Sequence, residues 1–326
     1  MTREVTCRLI PRRFTGSFLP VQCMDDQISP ARLGIGLLYQ KQFRPHLAAW
    51  REHFDFLEVI PDQAWHDLGT DRQPRYLEVR EEVDYLRHLS AAVPLVLHSI
   101  GLSIGSACRF DRAHVAQLAR WYEWLQFPWH SDHLAFISAA HGSDEVLTGV
   151  TLPLPYDQES IELLRPRIAE IRAQIPAPFL LENNVYFFQY PEQEFDEPDF
   201  LNRLCEASGC GLLLDLHNVY TNSRNHGTDP FEFLKRLDLS HVIEIHTAGG
   251  LEASGFYQDA HSDVSPPVVW QMLEWVLPRC PRLGGVVFEL LGSWFSEVGE
   301  EKLIAQLQRM KQMWQRHRPA TLREVA

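Results

Sequence analysis

Eight short apolar runs succeed one another along this chain, and helical segments stand between them. The runs are LGIGLL (33–38), FDFLEVI (54–60), PLVLHSI (94–100), WHSDHLAF (129–136), FLLENNVYF (179–187), GLLLDLHNVY (211–220), HVIEIH (241–246) and GGVVFELL (284–291). Apolar residues at helical spacing follow each of them. These segments are FRPHLAAWREHF (43–54), 76–90, His114 to Leu125, IELLRPRIAEIRAQI (161–175), DFLNRLCEAS (199–208), PFEFLKRL (230–237), PPVVWQMLEWVL (266–277) and EEKLIAQLQRMKQMWQRH (300–317). Pro166 kinks its helix or marks its start, and Gly209 is placed to cap another. Strand–helix alternation of this kind predicts parallel strands with helical crossovers. The expected fold is therefore α/β, a (β/α)8 TIM-type barrel over residues 32–318, with an N-terminal extension (1–31) and a C-terminal tail (319–326). An open doubly wound sheet is the alternative. The barrel is preferred because polar residues gather at the C-terminal ends of nearly all the runs, not at one switch point.

Those polar residues form a ring of candidates. Glu58 and Asp62 end the second run, His98 the third, and Asp132 and His133 the fourth. Glu182, Asn183 and Asn184 belong to the fifth, Asp215, His217 and Asn218 to the sixth, and Glu289 to the eighth. The seventh, with its loop HTAGGLEASGFYQDAHSD, gives Glu244, His246, Asp259 and His261. Alternate strand residues share a face, which puts Glu244 and His246 together and Ile243 and Ile245 opposite. The Gly249-Gly250 pair ends that strand, so Asp259 and His261 are expected on a loop. Crowded buried carboxylates need compensation. Imidazole and carboxylate donors without thiolate suit iron, manganese or zinc, and the number of donors suggests two or three ions. His46, His53, His66, His88, His114, His141 and His226 read as surface residues. His130 either shares a face with Asp132 or packs beside Trp129.

Composition narrows the partners. No run approaches 18 apolar residues, so no transmembrane helix is expected. A net charge of −13 opposes a nucleic-acid backbone. Cys7, Cys23, Cys108, Cys205, Cys210 and Cys280 form no CxxC, and Arg12-Arg13 precedes too short an apolar stretch for export. Reduced thiols and a cytoplasmic location follow as expectations. Gly34-Ile35-Gly36 lacks the rest of a dinucleotide-binding fingerprint.

LHSIGLSIGS (97–106), SDHLAF (131–136), LPLPY (152–156), LLENN (180–184), GLLLDLHNVY (211–220), EIHTAGG (244–250) and DAHSD (259–263) occur in this order. Together they resemble the multinuclear non-haem iron-dependent oxidative enzymes, the MbnB-like peptide-modifying oxidases. The resemblance implies a (β/α)8 barrel holding two or three irons in mixed Fe2+/Fe3+ states. With O2 as co-substrate, these would oxidise cysteine or another residue of a ribosomally made precursor peptide. By motif matching, His98, Asp132, Glu182, Asp215, His246, Asp259, His261 and Glu289 would be metal ligands or their neighbours, with Asp215, His246 and Glu182 central to catalysis. Asn183 and Asn218 match the family's amides, and His133 matches a family histidine. A small leader-binding partner protein is implied as well. Tyr39, Tyr186, Tyr220 and Trp294 are candidates to line the pocket.

Three departures from the family pattern bear on the site. QKQ (40–42) puts Lys41 where many members have His, unless His46 substitutes; PDQA (61–64) offers Asp62 for a glutamate; and His217 stands where Asn is common. Two other readings use the same ring: a divalent-metal-dependent isomerase or hydrolase, and a barrel that only binds a peptide.

Overall fold

The structure, a computed structural model, describes residues 30–141 and 144–318. Nearly all of the expected N-terminal extension, with Cys7, Cys23 and Arg12-Arg13, lies outside these residues, as do the tail 319–326 and the side chain of His141. The eight expected strands are all present: β1 Gly34–Leu38, β2 Phe56–Val59, β3 Leu95–Ser99, β4 His130–His133, β5 Phe179–Glu182, β6 Gly211–Asp215, β7 Val242–Thr247 and β8 Gly285–Phe288. Each is parallel to both neighbours, and β8 pairs with β1 to close the barrel.

Two apolar layers hold the barrel. The inner one consists of Leu38, Phe56, Val96, Trp129, Leu180, Leu213, Ile243 and Val287. A larger one, between strands and helices, includes Leu57, Leu97, Phe179, Leu214 and Ile245. Phe56 plugs the barrel axis. A Cβ added at Gly36 or at Gly285 would stand 2.5 Å from its ring, so both positions exclude any side chain. Ile243 and Ile245 do not share a layer, contrary to simple alternation. Leu212 pairs with Val242 but Leu213 with Glu244, so β7 carries one extra residue there.

The helices are α1 Arg80–Ser90, α2 Arg112–Leu125, α3 Gln158–Gln174, α4 Glu197–Ser208, α5 Leu216–His226, α6 Pro230–Arg236, α7 Pro267–Val276, α8 Phe295–Val298 and α9 Glu300–His317. Pro166 lies inside α3, about two turns from either end, so it does not mark the start of the helix. Gly209 caps α4 at φ +68°, as expected. Asp157 caps α3 by accepting from the Ser160 amide at 2.8 Å. Asp157→Ala is therefore expected to cost about 1 kcal/mol, read as a lower urea midpoint at unchanged slope.

Several expected elements differ. The expected helix 43–54 is absent: a 3-10 turn, Lys41–Phe43, is followed by further turns. Pro45 lacks the amide that a regular helix would use. The start of the 76–90 segment, Tyr76–Glu78, is instead a strand paired antiparallel with Trp65–Asp67. Ala135–His141 pairs with Asp144–Pro153 where a loop was expected. The sixth strand stops at Asp215, and LHNVY begins α5. Gly249–Ala253 and Phe256–Asp263 form a two-stranded ribbon, so Asp259 and His261 sit on a strand and not on a loop.

Candidate metal centre at the barrel mouth

Parallel register brings donors from neighbouring strands level with one another. His133 on β4 is paired with Glu182 on β5, and Asp215 on β6 with His246 on β7. His98 Nε2 lies 3.4 Å from His133 Nε2, and each of these nitrogens lies 3.3 Å from Glu182 Oε2. Three donors at about 2.1 Å from one ion, at tetrahedral angles, stand about 3.4 Å apart. The triangle thus already has the dimensions of a metal's coordination sphere.

A second run of contacts crosses the mouth. Glu58 Oε2 is 3.0 Å from His246 Nε2, and His246 Nδ1 is 3.1 Å from Glu289 Oε2. Glu289 Oε2 is 3.4 Å from His261 Nε2, which is 3.0 Å from Asp259 Oδ1. His217 Nδ1 closes the run at 2.8 Å from Asp259. His261 reaches in from a backbone at φ +45°, a left-handed conformation that an imidazole residue tolerates only at some cost.

Four sets of donors have atoms all within 4.8 Å of one another: His98, His133 and Glu182; Glu58, His246 and Glu289; Glu182, Asp215 and His246; and Asp215, His261 and Glu289. Glu182, Asp215, His246 and Glu289 each belong to two sets, as residues bridging neighbouring ions would. The chemistry of the donors fits cations for a second reason. Glu58 Oε1, Glu182 Oε2, Asp215 Oδ2, His246 Nδ1, His261 Nε2 and Glu289 Oε2 are buried, yet among the described residues none has a well-aligned hydrogen-bond partner. Buried polar atoms are rarely left so, and these converge on one place.

The electrostatics agree. Burial, and then the neighbouring His133, His246 and His261, push His98 well below the usual imidazole range. Burial takes His133 down to about 4. Both are therefore neutral near pH 7 and carry a free lone pair for a ligand bond. Burial drives Glu182 well above the carboxylate range, and Asp215 up to about 6 with help from Asp259 and Glu289. At His246 and His261 burial opposes protonation, but Glu289 with Glu58, and Asp259 with Glu289, outweigh it and hold these rings well above their usual range. The carboxylates thus call for positive charge, which a divalent cation would supply in place of those protons.

Supporting groups orient the donors. Asn183 donates to the Asp215 carbonyl at 3.0 Å and accepts from the Asp215 amide at 2.8 Å, so its own amide is spent on backbone. Asn218 donates at 3.0 Å to Glu182 Oε1, leaving Oε2 for the triangle. Asp215 Oδ1 caps α5 through the Asn218 amide at 2.8 Å, leaving Oδ2 free. The His246–Glu58 bond resembles the carboxylate support that fixes the tautomer of a ligating imidazole.

Other candidates lie elsewhere. Asp132 is next to His133 on a strand and so takes the opposite face. It accepts from the Leu102 amide at 3.4 Å and joins none of the four sets. Asp62 accepts from Ser99 Oγ at 3.1 Å and from the Ile100 amide at 3.0 Å, also outside the sets. His114, expected at the surface, is buried with Nε2 2.8 Å from Ser99 Oγ. His226 Nε2 donates to the Tyr186 carbonyl at 2.9 Å. Lys41 pairs with Glu82 at 2.9 Å, and His46 stacks on Trp50 with ring centres 4.8 Å apart, so neither replaces the missing histidine. Tyr39 donates to Glu82 at 2.8 Å, and Tyr220 stacks edge-on against Tyr257. Glu244 accepts from Trp129 Nε1 at 2.8 Å in the inner layer, and His130 packs against Phe127 and Phe179. Glu58, a member of the candidate ring that motif matching left out of the ligand list, enters a donor set; its inward alternation with Phe56 was the available signal.

Fold and site together define a (β/α)8 barrel with clustered metal-donor residues at the C-terminal mouth. The chain belongs to the family described as RiPP precursor modification enzyme MbnB/TglH/ChrH, whose profile matches residues 33–314. Its members are enzymes acting on ribosomally made precursor peptides. The chain is 32% identical over 250 residues to a UPF0276 protein of Chromobacterium violaceum, covering 77% of this chain and 84% of that one. A UPF0276 protein of an Anaeromyxobacter species is 31% identical over 254 residues, covering 78% and 84%. Among solved structures, the chain is similar in fold to endonuclease IV from Thermus thermophilus, with TM-score 0.54 and 15% identity over 87% of this chain and 99% of that one. An IolI protein with bound zinc gives 0.55 and 12% over 88% and 100%. Among the described residues no helix is long and apolar enough to cross a membrane.

Proposed function

We propose that this chain is a multinuclear iron-dependent, O2-using oxidase that modifies cysteine or another residue of a ribosomally synthesised precursor peptide in the cytoplasm. The observation that carries the reading is the donor set, imidazole and carboxylate without thiolate, with four residues shared between neighbouring clusters. Such ligands suit iron better than a closed structural zinc site, which favours thiolates. His98, His133 and Glu182 would hold one ion, and Asp215, His261 and Glu289 another. Glu58 and His246 lie between them, with room in the donor set for a third. Bound iron would supply the one-electron chemistry that O2 use requires. The chain's own part is positional: Asn183 pins the Asp215 backbone, Asn218 turns Glu182, and Glu58 orients His246. A small partner protein holding the leader of the peptide belongs to this proposal.

Protein purified without oxygen should carry about two to three irons per chain, as suits eight donor residues of which four are shared between sets. It should consume O2 only when its precursor peptide is added, as read by elemental analysis and an oxygen electrode. Stoichiometric zinc without iron, or peptide turnover undiminished under argon, would overturn the proposal; the second result would favour a divalent-metal isomerase or hydrolase.

A further inference from the structure

A second cavity of about 340 Å3 opens beside α4, lined by Tyr156, Tyr186, Phe195, Glu197 and Phe233 among others. Glu197 is the first residue of α4, is only 7% exposed, and has Oε1 without a hydrogen-bond partner. A buried carboxyl with no cation beside it is uncommon, because charge is removed from water without return. Arg236 also borders the cavity, but its guanidinium is committed to Asp196 and, at 3.2 Å, to Asp199. The remaining charged lining is acidic, from Asp229 and Glu232. Burial raises Glu197 to about 8, against the pull of the Tyr156 and Tyr186 phenols, so the carboxyl holds a proton in the free protein and gives it up when a cation enters beside it.

The walls match one class of ligand. Aromatic faces attract organic cations, and a buried carboxyl completes a site for a guanidinium or an ammonium. An anion is disfavoured by Asp196, Glu197 and Asp229. The cavity is also tied to the barrel mouth. Tyr186 lies four residues beyond Glu182, at most about 14 Å of extended chain. Its amide donates to Asn222 Oδ1 at 3.1 Å, and Asn222 donates to the Asn184 carbonyl at 2.9 Å. Asn222 follows Asn218 by one turn of α5, so the same helix face holds both Glu182 and the wall of this cavity.

We infer that the cavity is a recognition pocket for a basic side chain of the peptide substrate, with Glu197 as its counter-charge and Tyr156 and Tyr186 as its aromatic walls. That the ligand belongs to a peptide rests on the function proposed above; the cationic chemistry of the pocket does not.

Calorimetric titration of the full-length protein with N-acetyl-arginine N-methylamide tests this, with the citrulline and lysine counterparts as the other arms. Saturable binding of the arginine or lysine compound is expected, weakened tenfold or more for citrulline. Glu197→Gln and Tyr186→Leu should each weaken binding of the cation by a similar factor. Asp215→Asn, in the metal centre, should leave it unchanged. No binding of either cation, equal affinity for citrulline, or undiminished binding by both variants would overturn the inference. If Glu197→Gln fails to fold by circular dichroism, the citrulline comparison and Tyr186→Leu decide. Cation binding without any O2 consumption would remove the oxidase reading and keep the pocket. Oxidation of a peptide at unchanged KM after its basic residues are replaced by citrulline would do the reverse.

Discussion

Asp215→Asn is expected to lower peptide turnover by at least about 100-fold, beyond the upper range for losing a mere supporting partner of a metal ligand, and to reduce bound metal. Asp215 stands in two of the four donor sets, so one substitution disturbs two neighbouring ion positions. The choice of asparagine separates this effect from folding. Asp215 Oδ1 caps α5, and an asparagine oxygen caps a helix as well as an aspartate oxygen. Only the free Oδ2 changes, from an anionic donor to an amide NH2 that binds no cation. Loss of one negative charge beside Glu289 and Asp259 also relieves repulsion, so stability without metal should hold or rise. Metal content and turnover both equal to wild type would show that Asp215 is only a helix cap.

The largest effect on stability is expected from Phe56→Ala, about 3–5 kcal/mol, measured as the loss in unfolding free energy by urea titration. Phe56 is fully buried on the barrel axis, edge-on to Trp129 with ring centres 5.7 Å apart. Its neighbours cannot collapse into the space. Gly36 and Gly285 have no side chains to move, and the closed ring of strands fixes their backbones. A loss under about 1 kcal/mol would mean that water or rearranged side chains fill the void readily.

The barrel strands could be read from sequence because a parallel strand buried on both faces is a nearly unbroken apolar run. FLLE, GLLLD and GVVF show it plainly. The ribbons escaped because their strands lie on the rim with one side toward solvent. Leu77, Val150 and Phe256 are exposed there, and an isolated apolar residue carries little periodic signal. The end of β6 was overrun for a different reason. LHNVY has good strand composition, but Asp215 offers its side chain to the Asn218 amide and starts a helix at once. Among the donors, residue type at the run ends and in the loop after the seventh gave a wide ring, which motif matching to the family narrowed to a list containing His98, Glu182, Asp215, His246, His261 and Glu289, which the structure brings together. The choice between Asp132 and His133 needed strand phase. Adjacent residues face opposite ways, and only coordinates show that His133 has the inner one. Surface assignment failed for His114 because α2 turns that side of its first turn toward Trp65 and Tyr76.

Not all of the donors share one mechanical origin. The trio of His98, His133 and Glu182 is built from β3, β4 and β5, where each strand is locked by two others. His261 and Asp259 arrive instead on a ribbon whose two strands pair with each other, which leans on α5 through His217 and Asn225 and meets the barrel where the Leu291 amide donates to the His261 carbonyl at 3.0 Å. Such an appendage is free to lengthen, shorten or change sequence while the trio keeps its shape. The centre thus has two supports of unequal share: seven of the eight donor-set residues come from barrel strands or their ends, and His261 alone comes from the ribbon.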